Sequence, residues 1–306
     1  MELLVSILVS TAVAATPLVF AATGELVAER AGVLNLGVEG MMVIGAIAAF
    51  SALFGTGSHT LALLAAMIAG ALMAGLFGVL ALTLRANQVA SGLALTLFGL
   101  GLSALWGQGY SGVSVPAFPR LDLPVLSDLP IVGRLLFAHD LLLYLSIALV
   151  AAVAYVLART RLGLILRAVG ENHDAAHAIG YPVIAYRYGA LAFGGALAGL
   201  GGAYLSLVQI PIWAERLTAG RGWIALALVV FAGWKPWRVL AGAYLFGGIT
   251  ILQLHSQAIG LKIDAQILSM LPYLATIAVL VIISRDKMRT GLMAPACLGK
   301  PFHAPS

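Results

Sequence analysis

Nine stretches of this chain are apolar over lengths at or near those needed to cross a lipid bilayer, and little sequence separates most of them. They fall at 3–23, 32–54, 60–84, 88–107, 139–158, 188–210, 222–234, 239–258 and 267–284. A helix needs about 20 residues to traverse a hydrocarbon core of about 30 Å. The stretch 222–234 is short, either a half-span or one that merges with its neighbour. The expectation is therefore an all-α, polytopic transmembrane helical bundle of eight to ten spans. Composition points the same way. Hydrophobic residues make up 61% and charged residues 9%, whereas a soluble domain carries about 25% charged residues. Most of the outer surface must face lipid. The 35 glycines suit helices that pack closely inside membranes.

The first stretch is not patterned as a secretory signal, because Glu2 is the only early charge and the apolar run is long enough to span. It is read as a retained first helix with the N-terminus outside. Basic residues then set the orientation. With nine crossings, Arg30, Arg85, Arg159, Arg161, Arg167, Arg187, Lys235, Arg238, Arg285, Lys287, Arg289 and Lys300 share the inner side. Arg120, Arg134, Arg216, Arg221 and Lys262 are left outside. This bias places the C-terminal tail in the cytoplasm of an inner (cytoplasmic) membrane. The net charge of +5 is scattered over short loops, with no basic run or face for nucleic acid. Cys297 is the single cysteine and cannot form an internal disulfide or a cysteine-rich metal site.

Two loops are long. The outer loop 108–138 is rich in turn formers, with Pro116, Pro119, Pro124 and Pro130. The inner loop 159–187 is basic at both ends and holds Gly170-Glu171-Asn172-His173-Asp174-Ala175-Ala176-His177-Ala178-Ile179-Gly180-Tyr181-Pro182. This is the pattern of a helix of about seven residues. Asn172 caps it, Asp174 suits its positive end, and Gly180 and Pro182 stop it. Helices so short are marginal in water, so this one must dock. Ala175, Ala176 and Ile179 offer a small apolar face. Either that face enters a groove on a partner, or the helix is a connector packed on its own bundle. Residues 1–290 are thus read as one transmembrane domain and 291–306 as a cytoplasmic tail.

Polar residues within or beside apolar spans are costly, about 2.5–3.5 kcal/mol for an acid at a helix centre, and usually face a cavity or a partner. Asn35 and Glu39 are four apart, the spacing of one helix face. They either line or brace a translocation path, or Glu39 sits near the cytoplasmic surface, capping a helix or paired with Arg30. Gln88, Ser91 and Thr96 turn polar groups toward the same path or bond their own backbone. Gly195 and Gly199 have the spacing of a close helix–helix contact. His173 and His177 share a helix face, but no further ligand completes a metal site. Trp213, Trp223, Trp234, Trp237 and Tyr244 read as interface anchors. Gly299-Lys300 is followed by Pro301 and lacks a phosphate-binding loop, so the chain has no ATP site of its own.

The inner loop resembles the cytoplasmic coupling segment of ABC importer permeases, which has a Glu–Ala–Ala core and a following glycine. Glu171, Ala175, Ala176 and Gly180 occupy those positions. Glu29-Arg30-Ala31-Gly32-Val33-Leu34-Asn35-Leu36-Gly37-Val38-Glu39-Gly40-Met41-Met42 is similar to the N-terminal signature of the branched-chain amino acid and simple-sugar class, nearest its nucleoside and simple-sugar branch. The stretch 85–92, with Gln88 where many members carry an acid, the stretch 223–237 and the tail 294–301 extend the likeness over nearly the whole chain. The resemblance implies a type II ABC importer permease fold that moves a small polar solute, a nucleoside or simple sugar, by alternating access. It also implies an ABC ATPase subunit, which binds the ATP, a second related permease and a periplasmic or lipid-anchored solute-binding protein. Rival readings are an ion-gradient-driven secondary transporter, a permease for branched-chain amino acids and a non-transporting scaffold.

Overall fold

The computed structural model describes residues 2–119, 139–258 and 294–303, with isolated positions at 121, 133, 135, 137, 270, 274, 277, 278 and 281. The expected span 267–284 and most of the loop beyond 119 lie outside the described residues. The helices are α1 (Glu2–Arg30), α2 (Val38–Thr56), α3 (His59–Gly78), α4 (Gln88–Gly107), α5 (Leu141–Arg159), α6 (Arg161–Glu171), α7 (His173–Ala178), α8 (Val183–Tyr204), α9 (Arg221–Phe231) and α10 (Pro236–Ala258). Helices α3 and α8 run on into π-turns at Val79–Thr83 and Leu205–Gln209. Among the described residues there is no strand, and Ser114 and Ile212 form an isolated antiparallel bridge.

Seven of these helices are long and apolar enough to cross a membrane: α1, α2, α3, α4, α5, α8 and α10. In α2 and α8, 78% of the most apolar window is buried within the bundle, against 17% in α10. The first two are therefore central and α10 is peripheral. Small residues make that centre possible. A Cβ on Gly24 would sit 2.8 Å from the carbonyl oxygen of Gly194, and Gly195 and Gly199 meet the backbone of Gly70 and Ala66. Gly45 meets Gly199, and Gly202 meets the Met42 carbonyl. Lipid tails give helices no hydrophobic reason to associate, so such backbone contact carries the packing.

Two breaks interrupt the bundle, and the first corrects the reading of 32–54 as one continuous span. Helix α1 ends at Arg30, Gly32 turns at φ +84°, and α2 does not begin until Val38. Val33, Leu34 and Leu36 are as apolar as helix core, so hydropathy cannot reveal the gap. The break lies inside the bundle. A Cβ on Gly92 would sit 2.8 Å from the Leu36 nitrogen, and one on Gly40 would sit 2.9 Å from Thr96 Cα. Thr96 is about 12 Å along α4 from Gln88 at 1.5 Å per residue, so α2 starts well away from the end of α4.

The second break follows α8. Residues 210–220 are non-helical, and α9 has only 11 residues, about 16 Å of helix. It is the half-span that the short stretch 222–234 allowed. Its first turn meets Glu39 at the start of α2, and the chain just beyond it, at Trp234, meets Glu29 and Arg30 at the end of α1. Trp213 and Trp234 are accordingly buried, not interfacial, while Trp223 and Trp237 stay about half exposed.

One end of the bundle gathers the ends of α1, α3 and α9 and the start of α8. Arg30 donates to the Trp234 carbonyl at 3.0 Å, and Thr83 shares a hydrogen bond of 2.6 Å with Tyr188. Arg187 reaches both Ala31 and Lys300, so the 294–303 tail closes on the same end as α6 and α7.

Candidate functional site

The first break is held by side chains from both flanking helices. Glu25 of α1 accepts from the Asn35 backbone N–H at 3.1 Å and from its amide Nδ2 at 3.4 Å. Asn35 Oδ1 accepts from Gly37 N at 3.0 Å. From α4, Gln88 Oε1 accepts from Leu34 N at 2.9 Å, and Thr96 Oγ1 donates to the Leu36 carbonyl at 3.1 Å. Ser91 is buried on the same side of α4. These bonds are what a non-helical segment inside a bundle requires, because an unpaired backbone group there costs several kcal/mol. Asn35, Gln88 and Thr96 thus converge on one segment, where each binds backbone.

Glu39 does something different. It accepts from Thr218 Oγ1 at 2.5 Å, from Gly220 N at 2.8 Å and from Gly222 N at 2.6 Å. It is a carboxylate clamped on the positive N-terminal end of α9, a favourable pairing with the helix dipole. A Cβ at position 222 would sit 2.5 Å from Glu39 N and 2.9 Å from its Oε2, so glycine is needed there. The expectation that Asn35 and Glu39 share one helix face is corrected, since Asn35 lies in the break before α2. Arg30 donates to the Trp234 carbonyl, not to Glu39, whose partners are Thr218, Gly220 and Gly222 at the start of α9.

Sequence reasoning missed two fully buried carboxylates, Glu25 and Glu29. Glu29 accepts from Trp234 Nε1 at 2.5 Å. Both fell beyond the first stretch as read, which ended at 23, whereas α1 continues to Arg30. Their spacing of four residues within one helix was the available signal.

At the basic end, α7 forms as its caps dictate. Asn172 Oδ1 accepts from Ala175 N at 2.9 Å, and Gly180 stops the helix at φ +92°. The helix has six residues. The proposed three-residue apolar face is divided. Ala176 turns inward against Ile165, Val169, Val183 and Phe302. Ala175 and Ile179 face out, Ile179 with 72% of its surface exposed. Gly180 is exposed beside them. Glu171 is exposed too and accepts a long bond, 3.4 Å, from Ala296 N of the tail.

His173 is buried, and its Nδ1 lies 3.0 Å from Arg187 Nη2. A guanidinium can only donate, so Nδ1 accepts and the ring proton sits on Nε2. Burial, then the Arg187 charge, hold the His173 pKa below its ordinary value. The neutral ring is therefore the form this contact requires. His177 packs edge-on against Phe302, as His173 does. Among the described residues no cluster of three or more His, Cys, Asp or Glu could hold a metal ion.

A bundle of apolar helices, interrupted at its centre and carrying an outward-facing amphipathic hook at its basic end, is the framework of a polytopic membrane permease. The chain belongs to the family described as branched-chain amino acid transport system / permease component, whose family model matches residues 7–282. It is 42% identical over 327 residues to TsgC13 of Haloferax volcanii, covering 99% of both chains, a protein named for glucose ABC transport as a permease. It is 35% identical to the nucleoside ABC transporter permease protein NupC of Lactococcus lactis subsp. cremoris, over 87% of this chain and 88% of that one. It is 34% identical to the guanosine ABC transporter permease protein NupQ of Bacillus subtilis, over 91% and 92%. No solved structure matches the chain.

Proposed function

We propose that this chain is the membrane-spanning subunit of an ATP-driven importer for a neutral, polar solute, a nucleoside or a simple sugar. ATP hydrolysis is supplied by a separate ABC ATPase. The basic end of the bundle faces the cytoplasm, and α7 is the handle on which the ATPase seats. The single observation that carries this reading is the placement of α7. Ala176 packs it on the bundle, while Ala175 and Ile179 are left outward and exposed. The names of the similar proteins support sugar or nucleoside as the cargo. A second, related permease completes the pathway, and a periplasmic or lipid-anchored solute-binding protein delivers to the outer face. In this scheme ATP-driven closure moves the α7 handles, and the bundle alternates between inward-open and outward-open states. Glu171, Ala175, Ala176 and Gly180 form the coupling segment. Asn35, Glu39, Gln88, Ser91 and Thr96 set the shape of the path.

A second reading has an observation behind it. Discontinuous helices and buried carboxylates, here Glu25, Glu29 and Glu39, are also features of ion-coupled carriers. The two part in membrane vesicles holding the complete importer. Solute uptake is expected to need ATP and to persist when ionophores collapse all ion gradients. Uptake that stops with the gradients and ignores ATP would replace the importer by a carrier.

A further inference from the structure

Arg187 is fully buried in the first turn or so of α8, yet its three hydrogen-bond partners are neutral and come from three different parts of the chain. Its Nε donates to the Ala31 carbonyl at 3.1 Å, at the mouth of the first break. Its Nη1 donates to the Lys300 carbonyl at 3.1 Å, in the tail. Its Nη2 donates to Nδ1 of His173, the first residue of α7, at 3.0 Å. The tail is stitched to the same places. Cys297 N donates to the Gly170 carbonyl at 2.8 Å, Gly299 N donates to the Gly32 carbonyl at 3.2 Å, and the Phe302 ring lies 5.3 Å from both His173 and His177. The junction is close-packed: a Cβ on Gly32 would sit 2.9 Å from Arg187 Nη2 and 3.3 Å from both the Cys297 carbonyl oxygen and Gly170 Cα.

From this junction a continuous set of contacts runs inward. Ala31 and Gly32 open the break, Glu25, Gln88 and Thr96 grip it, and Glu39 at its far end holds the start of α9. A guanidinium is a planar, rigid fork whose donors cannot follow separate partners independently. One rigid group thus bonds the first residue of α7 and the Ala31 carbonyl at the same time.

We infer that Arg187 is a positioning residue that carries movement of α7 to the broken centre of the bundle, and that the 294–303 tail is a working part of the same coupling unit. The inference rests on α7 being the ATPase handle. It assigns the tail a task that its place in the sequence, past the last apolar stretch, does not suggest.

The test uses the complete reconstituted importer, with solute imported per ATP hydrolysed as the readout. Seating is followed separately by a cross-link from Ala175→Cys to the ATPase. His173→Leu removes the acceptor for Arg187. It is expected to keep the cross-link and to hydrolyse ATP within about twofold of wild type while importing roughly tenfold less solute. His173→Asn places Oδ1 where Nδ1 was and is expected to restore the ratio. Phe302→Ala, which loosens the tail and removes the ring packed on His173 and His177 while keeping both Arg187 and its His173 acceptor in the chain, is expected to lower the ratio severalfold. An unchanged ratio in both His173→Leu and Phe302→Ala would overturn the inference. So would proportional loss of hydrolysis and import, the mark of a merely structural contact. If the unaltered handle does not cross-link at all, the importer reading itself falls.

Discussion

Glu39→Ala is expected to abolish transport and to leave little folded protein. The carboxylate is the acceptor for Thr218 Oγ1, Gly220 N and Gly222 N. Removing it leaves two buried donors, Thr218 Oγ1 and Gly222 N, and the half-buried Gly220 N unpaired; at about 1–3 kcal/mol for each buried donor the loss is about 2 kcal/mol or more. The N-terminal end of α9 also loses the negative charge that faces its dipole. Glu39→Gln is a finer probe. It keeps one carbonyl oxygen but turns an amide NH2 toward an N–H donor, so it is expected to fold and to transport poorly. Quantified membrane levels and uptake by the assembled importer provide the check. Wild-type uptake by Glu39→Ala at normal membrane levels would mean that the clamp between α2 and α9 is dispensable.

The second large effect is expected at the crossing of α2, α3 and α8. A side chain at Gly199 would run into the carbonyl of Ala66, and Gly45 already rests on the Gly199 backbone. The obstructing atoms are backbone, which cannot swing aside. Gly199→Val is therefore expected at or beyond the upper end of the overpacking range of about 1–3 kcal/mol, with membrane levels falling sharply and transport lost. Gly189→Val is the matched control. It lies in the same helix, and a Cβ there meets nothing within 4 Å. Near-normal levels and uptake are expected of it. Equal damage from both substitutions would show that valine in this helix is harmful for reasons other than the crossing.

Much of the fold was legible because lipid imposes a simple rule, and the apolar stretches at 60–84, 88–107, 139–158 and 188–210 end within a few residues of α3, α4, α5 and α8 with their π-turns. The caps of α7 were legible for a similar reason, since Asn172 and Gly180 act locally. What hydropathy could not show was where a span breaks. Residues 33–36 are apolar apart from Asn35, and the partners that satisfy them, Glu25, Gln88 and Thr96, come from other helices. The sites of Glu39 and Arg187 were hidden for the same reason. Glu39 meets residues about 180 positions away, and Arg187 joins three segments that only folding brings together. The split of Ala175 from Ala176 was open to plain helical geometry, since adjacent residues point about 100° apart at 3.6 residues per turn.

The central proposal is that α7 is presented to the cytosol as the seat of a separate motor. Its most direct test is labelling of Ala175→Cys, in a chain with Cys297→Ser, by a membrane-impermeant maleimide. Labelling is expected in inside-out vesicles stripped of the ATPase, with protection when the ATPase is added back, and none is expected in right-side-out vesicles. Labelling of position 175 from the outer face would contradict the proposal.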